Sequence, residues 1–136
     1  MNTKQQGALG EALARDFLES LGYEFLEANF HRRVGEIDLV MLAPKDEQPT
    51  RTIVFVEVRY RSTRRYGGAL ASIDWKKQRK LIRAANAWLQ KHANSRDCAR
   101  IDIITIQPIH REPEACERRW RNHHLVWLLN AVESAT

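Results

Sequence analysis

Apolar residues recur every four positions near the start of the chain. Leu9, Leu13, Phe17 and Leu21 make one stripe, the spacing of a helix that buries a single face. The pattern predicts a helix over 4–21, ended by Gly22, which tolerates the backbone of a helix C-terminus. Residues 23–30 read as a short extended segment, followed by a basic corner, His31-Arg32-Arg33. Residues 34–42 read as a strand through Val34, Ile37, Leu39, Val40, Met41 and Leu42. A turn region with Pro44 and Pro49 leads to the strongest strand, Ile53-Val54-Phe55-Val56-Glu57-Val58-Arg59-Tyr60. Its first four residues are apolar without alternation, the pattern of a central strand covered on both faces.

Gly67 and Gly68 mark a loop, and Ser72 is a candidate cap for a helix over 73–92. Leu81, Ile82, Ala85, Trp88 and Leu89 fall on one side of that helix; Lys76, Arg79, Lys80 and Arg83 fall on the other. Residues 101–106 are β-rich, and 108–124 are polar and arginine-rich. Residues 125–132 read equally as a strand or a short helix. The order is helix, strands, helix, strand, which predicts a small α/β domain with a mixed central sheet flanked by helices. One domain over 1–136 is expected, its core about 7–107 and its C-terminal extension 108–136.

Composition narrows the class. The chain has 136 residues, 43% hydrophobic and 29% charged, enough for a core without disulfides or structural metal. The longest uninterrupted apolar run is five residues, 125–129, too short for a membrane helix. The first residues are polar and lack a signal-peptide core. Cys98 and Cys116 sit in no metal-ligand spacing, so a reduced, cytoplasmic protein is expected. The formal charge of +5 suits a polyanionic partner.

The unusual feature is acid inside strands, where Asp and Glu are depleted. Glu36 and Asp38 interrupt the second strand and Glu57 the third. Paired in a hairpin, the two strands would bring Asp38 beside Glu57, making a hard-oxygen site suited to Mg²⁺ or Mn²⁺. Glu36 is the weaker candidate, reading as a solvated residue at a strand start. Between residues 59 and 83 stand nine basic residues, Arg59, Arg61, Arg64, Arg65, Lys76, Lys77, Arg79, Lys80 and Arg83, against one acid, Asp74. Beside such a carboxylate pair, that imbalance predicts contact with a nucleic-acid backbone. Gln78 falls on the inward side of its helix and needs a polar partner there.

Gly35-Glu36-Ile37-Asp38-Leu39-Val40 followed by Phe55-Val56-Glu57-Val58-Arg59 resembles the YraN-like family of small bacterial proteins, of the restriction-endonuclease-like superfamily with its D…(D/E)xK signature, and is similar to archaeal Holliday-junction resolvases. The likeness runs from Gly7-Ala8-Leu9-Gly10-Glu11 to Arg100-Ile101-Asp102-Ile103. It implies a restriction-endonuclease-like core and metal-assisted hydrolysis of DNA phosphodiester bonds, on duplex or branched DNA. It implies that Asp38 and Glu57 hold the metal with Glu11 supplementing them, that Arg59 stands where the signature has lysine, and that Gln78 lies near the site. Asp102 matches a late-strand acid without an assigned role. A homodimer would follow from the resolvase likeness. Arg59 departs from the signature, because arginine stays protonated and cannot act as a general base. Two alternatives therefore stand beside the nuclease: a nucleic-acid-binding module that keeps the fold, and an interaction protein whose acids are structural.

Overall fold

The computed structural model describes residues 1–46, 49–61, 73–94, 96–109 and 117–132. Helix α1 spans Thr3–Ser20. Strands β1 (Glu24–Arg32), β2 (Gly35–Leu42) and β3 (Thr52–Tyr60) follow. Helix α2 spans Trp75–His92. Strands β4 (Cys98–Pro108), β5 (Arg118–Trp120) and β6 (His123–Val132) complete the order. One six-stranded mixed sheet runs β1-β2-β3-β4-β6-β5. Only β3 and β4 pair in parallel, as the α2 crossover between them requires; the other neighbours are antiparallel.

The two helices cover opposite faces. Leu13, Ala14, Phe17 and Leu18 of α1 pack with Val54, Val56, Ile104 and Ile106. Leu81, Ala84, Ala85 and Trp88 of α2 pack with Ile53, Phe55, Ile101 and Ile103. This accounts for the unalternating start of β3: its odd residues serve one core and its even residues the other. The mixed sheet with flanking helices matches the expectation, but the strand count exceeds it. Residues 125–132, open between helix and strand, belong to β6, which pairs along β4. The basic corner His31-Arg32 continues β1 instead of ending it.

Other differences lie at element ends. Leu21 follows the last residue of α1 and is exposed. Val34 sits in the β1–β2 turn, exposed, outside β2. The cap of α2 is Asp74, whose Oδ1 accepts the Lys77 amide at 2.8 Å, while Ser72 lies outside the described residues. Trp75, the first residue of α2, is 65% exposed, with the Arg79 guanidinium over its ring.

Gly35 anchors the β1–β2 turn against α2. A Cβ there would stand 2.5 Å from the Lys80 carbonyl oxygen, and its φ is +157°. The obstacle is helix backbone, which cannot yield as a side-chain tip would. Gly35→Ala is therefore expected to cost about 2–3 kcal/mol, read as a lowered urea midpoint. An unchanged midpoint would mean that the turn does not press on α2.

Candidate active site

The site forms where β2 and β3 part. Their ladder runs Leu42↔Ile53, Met41↔Val54, Val40↔Phe55 and Leu39↔Val56, and ends there. Beyond it, Asp38 Oδ2 accepts the Val58 amide at 2.8 Å. A side-chain carboxylate thus takes the place of a strand carbonyl at the fork. Glu57 lies in the same gap, buried at 4% exposure, and the Asp38 and Glu57 carboxyls hydrogen-bond to each other.

A backbone irregularity in β1 aims Asp38 into this gap. Asn29, opposite Asp38 in the β1–β2 pairing, has φ +53°, a conformation asparagine tolerates better than most residues. Side-chain parity changes across it. Ala28 and Leu39 belong with the α1-side core, whereas Phe30 and Ile37 belong with the α2-side core. Asn29 also hydrogen-bonds Glu11 of α1 through its side chain. Next to Glu11, Gly10 lets α1 close on β3: a Cβ there would meet Tyr60 Cβ at 3.1 Å.

Two cations reach one carboxylate oxygen. Arg59 Nε lies 3.4 Å from Glu57 Oε1, and Lys77 Nζ lies 3.6 Å from the same atom. Arg59 shares a face with Glu57 on β3. Lys77 comes from the first turn of α2, across the site.

Electrostatics follow from crowding acids in a partly buried gap. Burial, and then the Asp38 carboxylate, push the Glu57 carboxyl up to about 7, against the pull of Lys77 and Arg59. Burial also raises Asp38, opposed first by the Val58 amide. Glu11 is raised by burial and next by Asp38, while Asn29 works the other way. Two carboxyls that share a hydrogen bond and resist joint ionisation are an unfilled demand for positive charge.

The shift of Glu57 has a consequence for stability. Between the ordinary glutamate range and about 7, the folded chain keeps a proton that the unfolded chain has released. Stability therefore falls as pH rises through that window. The full shift corresponds to a cost on the order of 3 kcal/mol above pH 7. Glu57→Gln should remove this slope in divalent-free buffer, leaving the variant more stable than the parent at pH 8 and close to it at pH 5. Urea unfolding at both pH values checks this; parallel pH profiles for the two proteins would contradict it.

Among the described residues, no three of His, Cys, Asp and Glu are grouped as a ready metal cluster. Two converging carboxylates still fit Mg²⁺ or Mn²⁺, because Mg²⁺ commonly takes one or two carboxylates and fills its shell with water and substrate phosphate. Of the residues singled out in the sequence, Asp38, Glu57 and Arg59 meet, with Glu11 bordering them. Gln78 does not reach the pair by a hydrogen bond: its Nε2 donates to the Ile73 carbonyl at 3.2 Å, bracing the entry to α2. Glu36 is exposed and faces His31 across the hairpin, 3.8 Å away. Lys76, Arg79, Lys80 and Arg83 are exposed along α2, and Arg61 is exposed after β3. Arg64 and Arg65 lie outside the described residues. Lys77, grouped with these surface cations by sequence, stands instead in the site. Asn29 was not singled out, although an asparagine amid strand-forming residues is a usable signal.

Asp102 serves elsewhere. It is fully buried on β4, where the β4–β6 register shifts. Its carboxylate accepts from Arg100 Nε at 3.0 Å, Trp127 Nε1 at 3.0 Å and the Asn130 amide at 2.8 Å.

Residues 10–106 match the family described as "Uncharacterised protein family UPF0102". Curated relatives include the UPF0102 protein YraN of Escherichia coli (strain SMS-3-5 / SECEC) and that of Shigella sonnei (strain Ss046). Each is 46% identical over 108 residues, covering 78% of this chain and 78% of the relative. The YraN of Escherichia coli (strain K12 / DH10B) is 45% identical over the same length. Glu11, Asp38, Glu57, Arg59 and Lys77 all fall inside the family match.

Proposed function

Because this chain belongs to the uncharacterised protein family UPF0102, whose description names no activity, we propose from its own residues that it is a divalent-metal-dependent endonuclease acting on DNA. The observation that carries this is the Asp38–Glu57 pair: a half-buried and a buried carboxyl at a strand fork, hydrogen-bonded to each other. The resemblance to restriction-endonuclease-like nucleases supports the same reading, as does the row of exposed cations on α2.

Asp38 and Glu57 would hold Mg²⁺ or Mn²⁺, with Glu11 at the border of the site. When bound, the ion supplies Lewis acidity to a phosphate oxygen and to an attacking water. Asp38 is held in place by the Val58 amide, so the ligand geometry is set before substrate arrives. Arg59, as an arginine, suits anion binding and not general-base chemistry. Arg61, Lys76, Arg79, Lys80 and Arg83 provide sequence-independent phosphate contacts.

A non-catalytic nucleic-acid-binding module is the second reading. One observation favours it: Arg59 and Lys77 both approach Glu57 Oε1 and so partly fill the charge deficit that a metal would otherwise fill.

The test uses labelled duplex, single-stranded, flap and four-way-junction DNA with Mg²⁺, Mn²⁺ or EDTA. Metal-dependent cleavage supports the nuclease; salt-sensitive retention without cleavage supports the binding module. For the α2 face, Lys76→Ala/Lys80→Ala should weaken binding and flatten its dependence on log salt by about 0.9 per lost phosphate contact on duplex DNA. An unchanged slope would remove α2 from the interface.

A further inference from the structure

The signature lysine of the resembled nucleases is Arg59 here, yet the site does hold a lysine. Lys77 reaches it from another element. Its amide is fixed by Asp74 at the start of α2, and its side chain runs inward to Glu57 Oε1, 3.6 Å away. The cations around it on the same helix, Lys76, Arg79, Lys80 and Arg83, point to solvent.

The two cations at Glu57 are not equivalent. Arg59 approaches the carboxylate through Nε, at 3.4 Å, and that buried Nε has no hydrogen-bond partner. Guanidinium binds anions best through paired donors in a planar fork, and this approach does not use the fork. Lys77 offers a compact ammonium with three rotatable donors on a flexible stem. It can pass from Glu57 to a phosphate oxygen without moving the sheet, whereas Arg59 is tied to the strand that carries Glu57.

We propose that Lys77 is the catalytic cation of this site: it exchanges Glu57 for an oxygen of the scissile phosphate, while Arg59 remains beside Glu57 as a positioning residue. This rests on the nuclease reading above and deepens it. Lys77 stabilises charge that develops on the phosphate, and no proton transfer through it is required.

The experiment compares the parent chain with Lys77→Ala, Lys77→Arg and Arg59→Ala. It measures single-turnover cleavage of the best DNA substrate and, separately, Mn²⁺ affinity by calorimetry without DNA. Lys77→Ala should slow cleavage about a hundred-fold or more, with Mn²⁺ affinity equal to or tighter than the parent's, because a competing cation has left Glu57. Lys77→Arg should recover part of the rate. Arg59→Ala also takes a cation away from Glu57 Oε1, so Mn²⁺ affinity should hold or tighten, and its loss of rate should be smaller than that of Lys77→Ala.

Parent-like cleavage by Lys77→Ala overturns the assignment and leaves the nuclease reading intact. A loss of rate matched by an equal loss of Mn²⁺ affinity also overturns it, by reducing Lys77 to a support for Glu57. Absence of cleavage by the parent with every metal and substrate overturns the nuclease reading, and this assignment with it.

Discussion

Asp38→Asn and Glu57→Gln each abolish metal-dependent DNA cleavage, with rates expected to fall about a thousand-fold, while salt-dependent DNA binding persists. The two effects separate because the groups involved are separate. The carboxyls occupy the fork between β2 and β3, Glu57 buried and Asp38 half-buried, whereas Lys76, Arg79, Lys80 and Arg83 sit exposed on α2. The amide variants keep shape and hydrogen-bonding capacity but remove the negative charge a divalent ion needs. Glu57→Gln should also show the flattened pH dependence of stability described above, which reports folding independently of activity. Cleavage surviving in both variants would exclude this pair as the metal ligands. Binding lost together with cleavage would indicate that the carboxyls organise the interface itself.

Asp102→Ala has the largest expected effect on stability, a loss of about 3–5 kcal/mol. One fully buried carboxylate satisfies the Arg100 guanidinium, the Trp127 indole N–H and the Asn130 amide. Arg100 in turn donates to the Tyr23 hydroxyl at 2.7 Å, so the network ties β4, β6 and the connection from α1 to β1 together. Alanine leaves a partly buried cation uncompensated and two N–H donors without an acceptor. Asp102→Asn should cost less, because one acceptor oxygen remains. Urea unfolding measures both, and a loss below about 1 kcal/mol for Asp102→Ala would contradict this role.

Much of the site was legible because it breaks local rules. Acid in a strand is costly, so Asp38 and Glu57 stood out against their apolar neighbours. The doubly covered centre of β3 was legible too, since two helices packing on opposite faces leave no polar position in Ile53-Val54-Phe55-Val56. What escaped depends on distant geometry. The count of basic residues groups Lys77 with the cations expected on nucleic acid, and only the approach of α2 to the β2–β3 fork puts it in the site. The left-handed turn at Asn29 reverses which residues of β1 and β2 face each core, and strict alternation cannot anticipate it. The run Leu125-Val126-Trp127-Leu128-Leu129 carries no period, so its pairing with β4 was hidden until both strands were seen side by side. Asp102, unlike Asp38, entered only through the family resemblance and without a role. Burial with three donors, against burial beside a second carboxyl, is what separates them.

The central claim is that Asp38 and Glu57 form one divalent-cation site. Calorimetric titration of Mn²⁺ into the chain at pH 8, beside an Asp38→Ala/Glu57→Ala variant, tests it most directly. The account predicts saturable binding by the parent that weakens as pH falls below about 7, where Glu57 holds its proton, and that disappears in the variant. Equal binding by both proteins, or none by the parent, would contradict it.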